Sequence, residues 1–194
     1  MKRHQAGWSL VEALVALTVA GLLLAWTAPI AARVVADART SAAAREFAVL
    51  FYALRWRSVS ENRHVGLYFE RSGAAWQWWQ VGDGNGNGLR TAEVRNGVDP
   101  KRSGPHRLGT GVRFGFPAGG PIPRIPPRRG LLSGSDPVRF GRSDLISFGP
   151  RGRSSSGTLY LTDGRQRLYG VLLYGAATRI RVWRWDREER RWRR

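Results

Sequence analysis

From Ala13 to Ala32 the chain runs without a single charge, and the residue that opens this run is a carboxylate, Glu12. Wound as a helix at ~1.5 Å per residue, some twenty residues reach across the ~30 Å hydrocarbon core of a bilayer. One long apolar helix is therefore the first commitment of the fold. Lys2, Arg3 and His4 precede it, and a basic start keeps the N-terminus on the cytoplasmic side. A carboxylate at the head of such a helix is costly to bury and asks for a partner.

Three readings fit this segment. A plain single-pass anchor needs only the length. A cleaved secretory signal would use the small residues around Ala28 or Ala31-Ala32, but such apolar regions span ~7–15 residues and do not normally carry a glutamate near their start. The third reading comes from the order Lys2, Arg3, Gly7, Trp8, Ser9-Leu10-Val11-Glu12. It resembles the signal of type IV prepilins and type II secretion pseudopilins. That resemblance implies cleavage by prepilin peptidase after Gly7 and N-methylation of Trp8, where the family usually has Phe. It also implies that Glu12 serves filament assembly, meeting the free amino group of a neighbouring subunit. Pro29 stands where such helices commonly have a proline. Lacking an N–H, it kinks or ends a helix.

Composition bounds the remainder. The chain has 194 residues, enough beyond the apolar segment for one ordinary domain. Lysine and arginine total 32 against 14 acidic residues, a net charge of +18, which predicts attraction to polyanions or acidic surfaces. Without cysteine there is neither a disulfide framework nor a thiol metal site.

After Pro29, Val34, Val35, Ala38, Ala42, Phe47, Leu50, Phe51 and Leu54 recur at helical steps, so the helix continues with one apolar face and fades near 58–62. Beyond His64 the period changes to two. Val65, Leu67 and Phe69 alternate with Gly66, Tyr68 and Glu70, Ser72-Gly73 turns, and Ala75–Val81 returns as a hairpin. Segments 113–116, 145–148, 157–161, 168–174 and 178–185 read as further strands between Gly, Ser, Asp and Pro. The fold class is thus α+β, a long N-terminal helix followed by an antiparallel β-domain. The expected organisation is a leader over 1–7, a helix over 8–62 with its membrane part about 8–32, a β-domain over 63–185, and a basic tail over 186–194.

Residues 117–130 interrupt the pattern with five prolines and three arginines, and predict an exposed, partly extended basic loop. If 178–185 is a strand, Ile180 and Val182 share one face while Arg179, Arg181, Trp183 and Trp185 share the other. Guanidinium groups pair with phosphates and indoles stack on bases, so this face suits a nucleic-acid strand. The alternatives are tryptophans packed against another sheet and a solvated arginine-rich end near anionic lipid. Asp83-Gly84-Asn85-Gly86-Asn87-Gly88 places oxygens at alternate positions, but Val94 stands at the twelfth position, where a calcium loop needs glutamate, so a flexible turn is expected. His64 and His106 lack a catalytic or metal-binding constellation. No enzyme activity, catalytic residue, cofactor or metal is expected.

A second resemblance reaches the other end of the chain. Phe148-Gly149-Pro150-Arg151-Gly152, Ser156-Gly157-Thr158-Leu159-Tyr160-Leu161 and Ala177-Thr178-Arg179-Ile180-Arg181-Val182 are similar to the closing β region of GspH/FimT-type minor pseudopilins. There a Gly-Arg-x-Arg sequence is common, and Thr178 stands in the glycine's place. The resemblance implies a type IV pilin-like fold, an inner-membrane location with a periplasmic β-domain, and as partners prepilin peptidase, other pilins and an assembly platform. Some members bind DNA during natural transformation through this Arg-x-Arg, so DNA is a further candidate partner.

Overall fold

The computed structural model describes residues 9–73, 75–132, 134, 136–141, 143–176 and 178–194. Gly7 and Trp8, the expected cleavage and methylation positions, lie outside the described residues. The element order is α1 (Leu10–Ser60), β1 (Val65–Ser72), β2 (Ala75–Gly82), α2 (Thr91–Arg95), β3 (Lys101–His106), β4 (Arg113–Phe114), β5 (Val138–Arg139), β6 (Leu145–Phe148), β7 (Gly157–Thr162), β8 (Leu168–Tyr174), β9 (Arg179–Asp186) and β10 (Arg191–Arg193). The chain is thus a long, apolar-headed helix followed by antiparallel sheets. It divides into two units, 1–36 and 37–194.

In the first unit α1 runs through Pro29 without ending. Proline costs a helix one hydrogen bond and a steric adjustment, and the apolar residues on both sides keep the remaining ladder intact. This helix is long and apolar enough to cross a membrane, by length and composition.

In the second unit, two sheets and the helix share a core. Sheet A has the order β3-β2-β1-β6, and sheet B the order β10-β9-β8-β7-β4 with β5 also paired to β7. Period two sorts their side chains. Val65, Leu67 and Phe69 of β1 and Ile146 and Phe148 of β6 meet Leu159, Leu161, Val171, Leu173 and Ile180 of sheet B, and Phe47, Phe51 and Leu54 of α1 pack between them. The buried face of α1 is Thr40, Ala44, Phe47, Phe51, Leu54 and Ser58, at steps of four and three. Val34, Val35, Ala38 and Ala42, expected on that face, are exposed. In this stretch small residues alternate with Arg33, Asp37 and Arg39, and it is Thr40 and Ala44 that turn to the core.

Both sheets are also covered on their outer faces. On sheet A, Tyr68, Trp79, Val81 and Leu145 lie under Leu89 and Val94 of the 83–100 connection. That connection is built on two buried carboxylates. Asp83 accepts the N–H groups of Gly86 and Gly88 at 2.6 and 2.8 Å, and Asp99 those of Gly84 and Arg90, both at 3.1 Å. Asn85 and Asn87 donate to Glu93 at 3.2 and 3.0 Å. These oxygens therefore organise the loop's own backbone, which is what the Asp-Gly-Asn-Gly pattern encodes here. Among the described residues no group of three or more His, Cys, Asp or Glu side chains is placed to hold a metal ion.

Candidate polyanion-binding surface

The outer face of sheet B brings together the two basic segments that stand sixty residues apart in sequence. Residues 186–194, expected as a tail, fold back as a hairpin. Asp186 accepts the N–H groups of Glu188 and Glu189, each at 3.1 Å, and closes the turn, and β10 pairs with β9 so that Trp192 lies opposite Trp185. These backbone hydrogen bonds, that of Glu189 foremost, hold the Asp186 carboxyl below the usual carboxylate range, aided by Arg193 and Arg184.

The Pro/Arg loop closes over this hairpin. Ile122 and Ile125 are buried with Tyr160, Leu168, Leu172, Trp183, Trp185 and Trp192 in one apolar cluster. Gly170 of β8 makes the seat: a Cβ there would lie 2.5 Å from Ile125 Cδ1. The Arg124 N–H donates to Gly130 O at 2.9 Å and the Leu132 N–H to Ile122 O at 2.8 Å, so the loop satisfies its own backbone between the prolines. Trp192 Nε1 donates to Pro123 O at 2.8 Å, and the Arg187 guanidinium lies against Gly119. The loop is thus exposed at Arg128 and Arg129 but docked through its isoleucines.

The expected division of β9 is present, with Ile180 and Val182 toward the shared core and Trp183 and Trp185 on the opposite face. What differs is where that face points. Trp183 and Trp185 are each only 7% exposed, because the loop and β10 cover them. They do not present open faces for base stacking, and that part of the nucleic-acid expectation is corrected. Indoles that can be enclosed gain more from burial than from remaining in water. Arg179 is exposed and Arg181 half-buried. With Arg128, Arg129, Arg187, Arg190, Arg191 and Arg194 exposed, loop and hairpin together form a strongly basic surface. Its acids are partly engaged: Glu189 pairs with Arg191 and Arg193, and Arg193 Nε lies 3.2 Å from Asp186.

Thr178, ahead of the Arg179-Ile180-Arg181 sequence, is buried with φ of +42°, a conformation that favours glycine. Its hydroxyl donates to the Gly152 carbonyl. At the other end of the chain, Ser9 and Glu12 form a reciprocal cap. The Glu12 N–H donates to Ser9 Oγ at 3.2 Å, and the Ser9 N–H to Glu12 Oε2 at 3.0 Å. Glu12 therefore has a partner within its own chain and faces the positive end of the helix dipole. The Ser-x-x-Glu spacing ahead of an apolar run is the sequence signal for this arrangement. His64 Nδ1 lies 3.3 Å from Ser147 Oγ and His106 Nε2 lies 2.8 Å from Ser103 Oγ, local polar contacts of strand ends.

At this level the chain belongs to the class of α+β proteins in which one long apolar helix precedes a body of two antiparallel sheets, here with a basic outer face. Comparison with protein-family models, with curated proteins and with solved structures finds no match to this chain.

Proposed function

We propose that this chain is a minor pilin or pseudopilin of the GspH/FimT type, a structural subunit of a type II secretion pseudopilus or a type IV pilus. The observation that carries the reading is the junction Gly7-Trp8-Ser9-Leu10-Val11-Glu12 directly ahead of a helix that begins at Leu10 and leads into antiparallel sheets. Two further features support it. Val49, Tyr52, Trp56 and Val59 stand exposed at steps of three, four and three, an apolar stripe suited to helix packing between subunits. The left-handed backbone at Thr178 is the conformation a glycine before the Arg-x-Arg would provide. In this reading the chain is inserted in the inner membrane with its β-domain in the periplasm, Gly7-Trp8 is the cleavage site, and Trp8 is N-methylated. Glu12 exchanges its local cap for a neighbour's amino group on assembly. Mass spectrometry of the N-terminus, after production in cells with a prepilin peptidase, should find a chain that starts at a methylated Trp8. Glu12→Ala should still be cleaved but should fail to enter filaments. An intact Met1 start, or cleavage near Ala32, would reject the reading.

The basic face of sheet B favours a second role within the same class, sequence-independent binding of DNA for uptake. Phosphate contacts from Arg179, Arg181 and the neighbouring hairpin and loop arginines would carry it, without stacking on Trp183 or Trp185. Binding to duplexes of unrelated sequence should weaken steeply between about 50 and 200 mM salt and fall about tenfold or more in Arg179→Glu with Arg181→Glu. Binding indifferent to salt or to both substitutions would remove this role and leave the structural one.

A further inference from the structure

Beneath the Pro/Arg loop lies a cavity of about 40 Å³ lined by Arg124, Arg128 and Arg139, by Thr158 and Tyr160, and by Ile125, Leu132 and Leu172. It is small, yet larger than the ~10–15 Å³ that one water needs. Its polarity is one-sided. Three arginines and two hydroxyl-bearing residues line it, and among the described residues no carboxylate does. Arg139 forms an ion pair with Asp136 through Nε, at 3.9 Å, while its Nη1 is buried without a hydrogen-bond partner among those residues. Arg124 is held in place, its Nε donating to Leu131 O at 3.3 Å. Burial pushes the Tyr160 hydroxyl above the usual tyrosine range, although its hydrogen bond with Thr158, and then Arg139, Arg128 and Arg124, pull the other way. A neutral hydroxyl enclosed by cations is a donor.

Three like charges converging on one small space raise the electrostatic energy there. A tetrahedral oxyanion lowers it, accepting paired N–H donors from guanidinium forks and an O–H from the floor. We propose that this pocket binds a phosphoryl group, either inorganic phosphate or the terminal group of a small phosphomonoester, held by Arg124, Arg128 and Arg139 with Tyr160 beneath it. The cavity volume admits the phosphoryl group and excludes a nucleoside, so the ligand enters end-on. Two of the three arginines belong to the loop, one to sheet B, and the anion clamps them together. The proposal is independent of filament assembly and does not use Arg179 or Arg181, and it shares Arg128 with the basic surface of loop and hairpin.

The test is a titration of the full chain in detergent micelles with inorganic phosphate and, separately, with glycerol phosphate, followed by calorimetry and thermal denaturation against sodium chloride at matched ionic strength. Saturable binding that raises the denaturation midpoint beyond the chloride control is expected. Binding by phosphate alone assigns the free ion; binding by both assigns a monoester-compatible pocket. Arg128→Gln and Arg129→Gln then separate a built site from diffuse charge. They are adjacent, both exposed, and remove the same charge, but only Arg128 lines the cavity. Arg128→Gln should weaken binding about tenfold or more and Arg129→Gln should leave it within about twofold. Equal losses in the two variants, or a phosphate effect no larger than that of chloride, would overturn the proposal.

Discussion

Thr178 holds a backbone conformation that costs a side chain with a Cβ roughly 1–2 kcal/mol and is harder still for a β-branched one. It stays because its hydroxyl satisfies the Gly152 carbonyl, a bond worth about 0.5–1.5 kcal/mol. Truncation to alanine keeps the strain and loses the bond, whereas glycine loses the bond and the strain together. Thr178→Ala should therefore cost about 1 kcal/mol in chemical denaturation, while Thr178→Gly, which removes more atoms, should stay closer to the parent. The reverse order would show that the threonine methyl group's packing outweighs the backbone. Glu12 illustrates a different residue-scale point. Its position ahead of an apolar run was plain from sequence as a charge in need of a partner, and the partner is Ser9, three residues upstream. The proposed assembly role is compatible with the capping role, because a cap at a helix end is an exposed contact that a stronger ionic partner can displace.

Among the elements, those with a clear period were legible and those without were not. The β1–β2 hairpin, β6, β7, β8 and β9 fall where alternation placed them, since four to eight residues of period two leave little choice of register. β3 was missed because Gly104-Pro105 lies inside it, β5 because two residues show no period, and β10 because Arg191-Trp192-Arg193 reads as solvated tail. The last omission matters most for function. As a free tail the arginines would be a diffuse charge. As a hairpin pinned by Trp192 to Pro123, they form one surface with the loop. The end of α1 shows local and tertiary signals agreeing: the helix stops at Ser60, and Glu61 takes hydrogen bonds from Arg57 and Arg102, both at 2.5 Å, which ties the turn to β3.

For the second unit as a whole, the arginine excess sets the pH response. Arg57 and then Arg102 hold Glu61 below the usual carboxylate range. Burial alone would raise Asp163, but the N–H groups of Arg165, Arg167 and Gln166 more than offset it and hold it low, and Asp186 is lowered by its hairpin turn. A carboxylate whose folded pKa is depressed adds stability above its unfolded value, ~3.9 for Asp and ~4.3 for Glu, and that stability is lost as the pH falls toward the folded pKa. Asp144 runs the other way, raised by burial and by Asp136. Three groups against one, with growing positive repulsion in a chain already at +18, predict a denaturation midpoint that drops as the pH falls from about 5 to 3. Thermal melts of the full chain in detergent, monitored by circular dichroism, read this directly. A midpoint that rises on acidification would mean that Asp144 dominates. Asp37 ties α1 to sheet B, accepting the Tyr169 hydroxyl at 3.0 Å between Arg167 and Arg184.

The sequence by itself determined the long helix, the change of period after His64, most of the strands and the amphipathic split along β9, because each is a local pattern that backbone geometry enforces on neighbouring residues. It also determined that the chain is basic and where its arginines concentrate. Only the tertiary structure decided which face each pattern turns inward. Trp183 and Trp185 are enclosed because a loop some sixty residues earlier in the chain lays Ile122 and Ile125 over them, and Gly170 leaves the space for it. Burial is a property of what covers a surface, and a period of two assigns side chains to faces without saying what lies against either one.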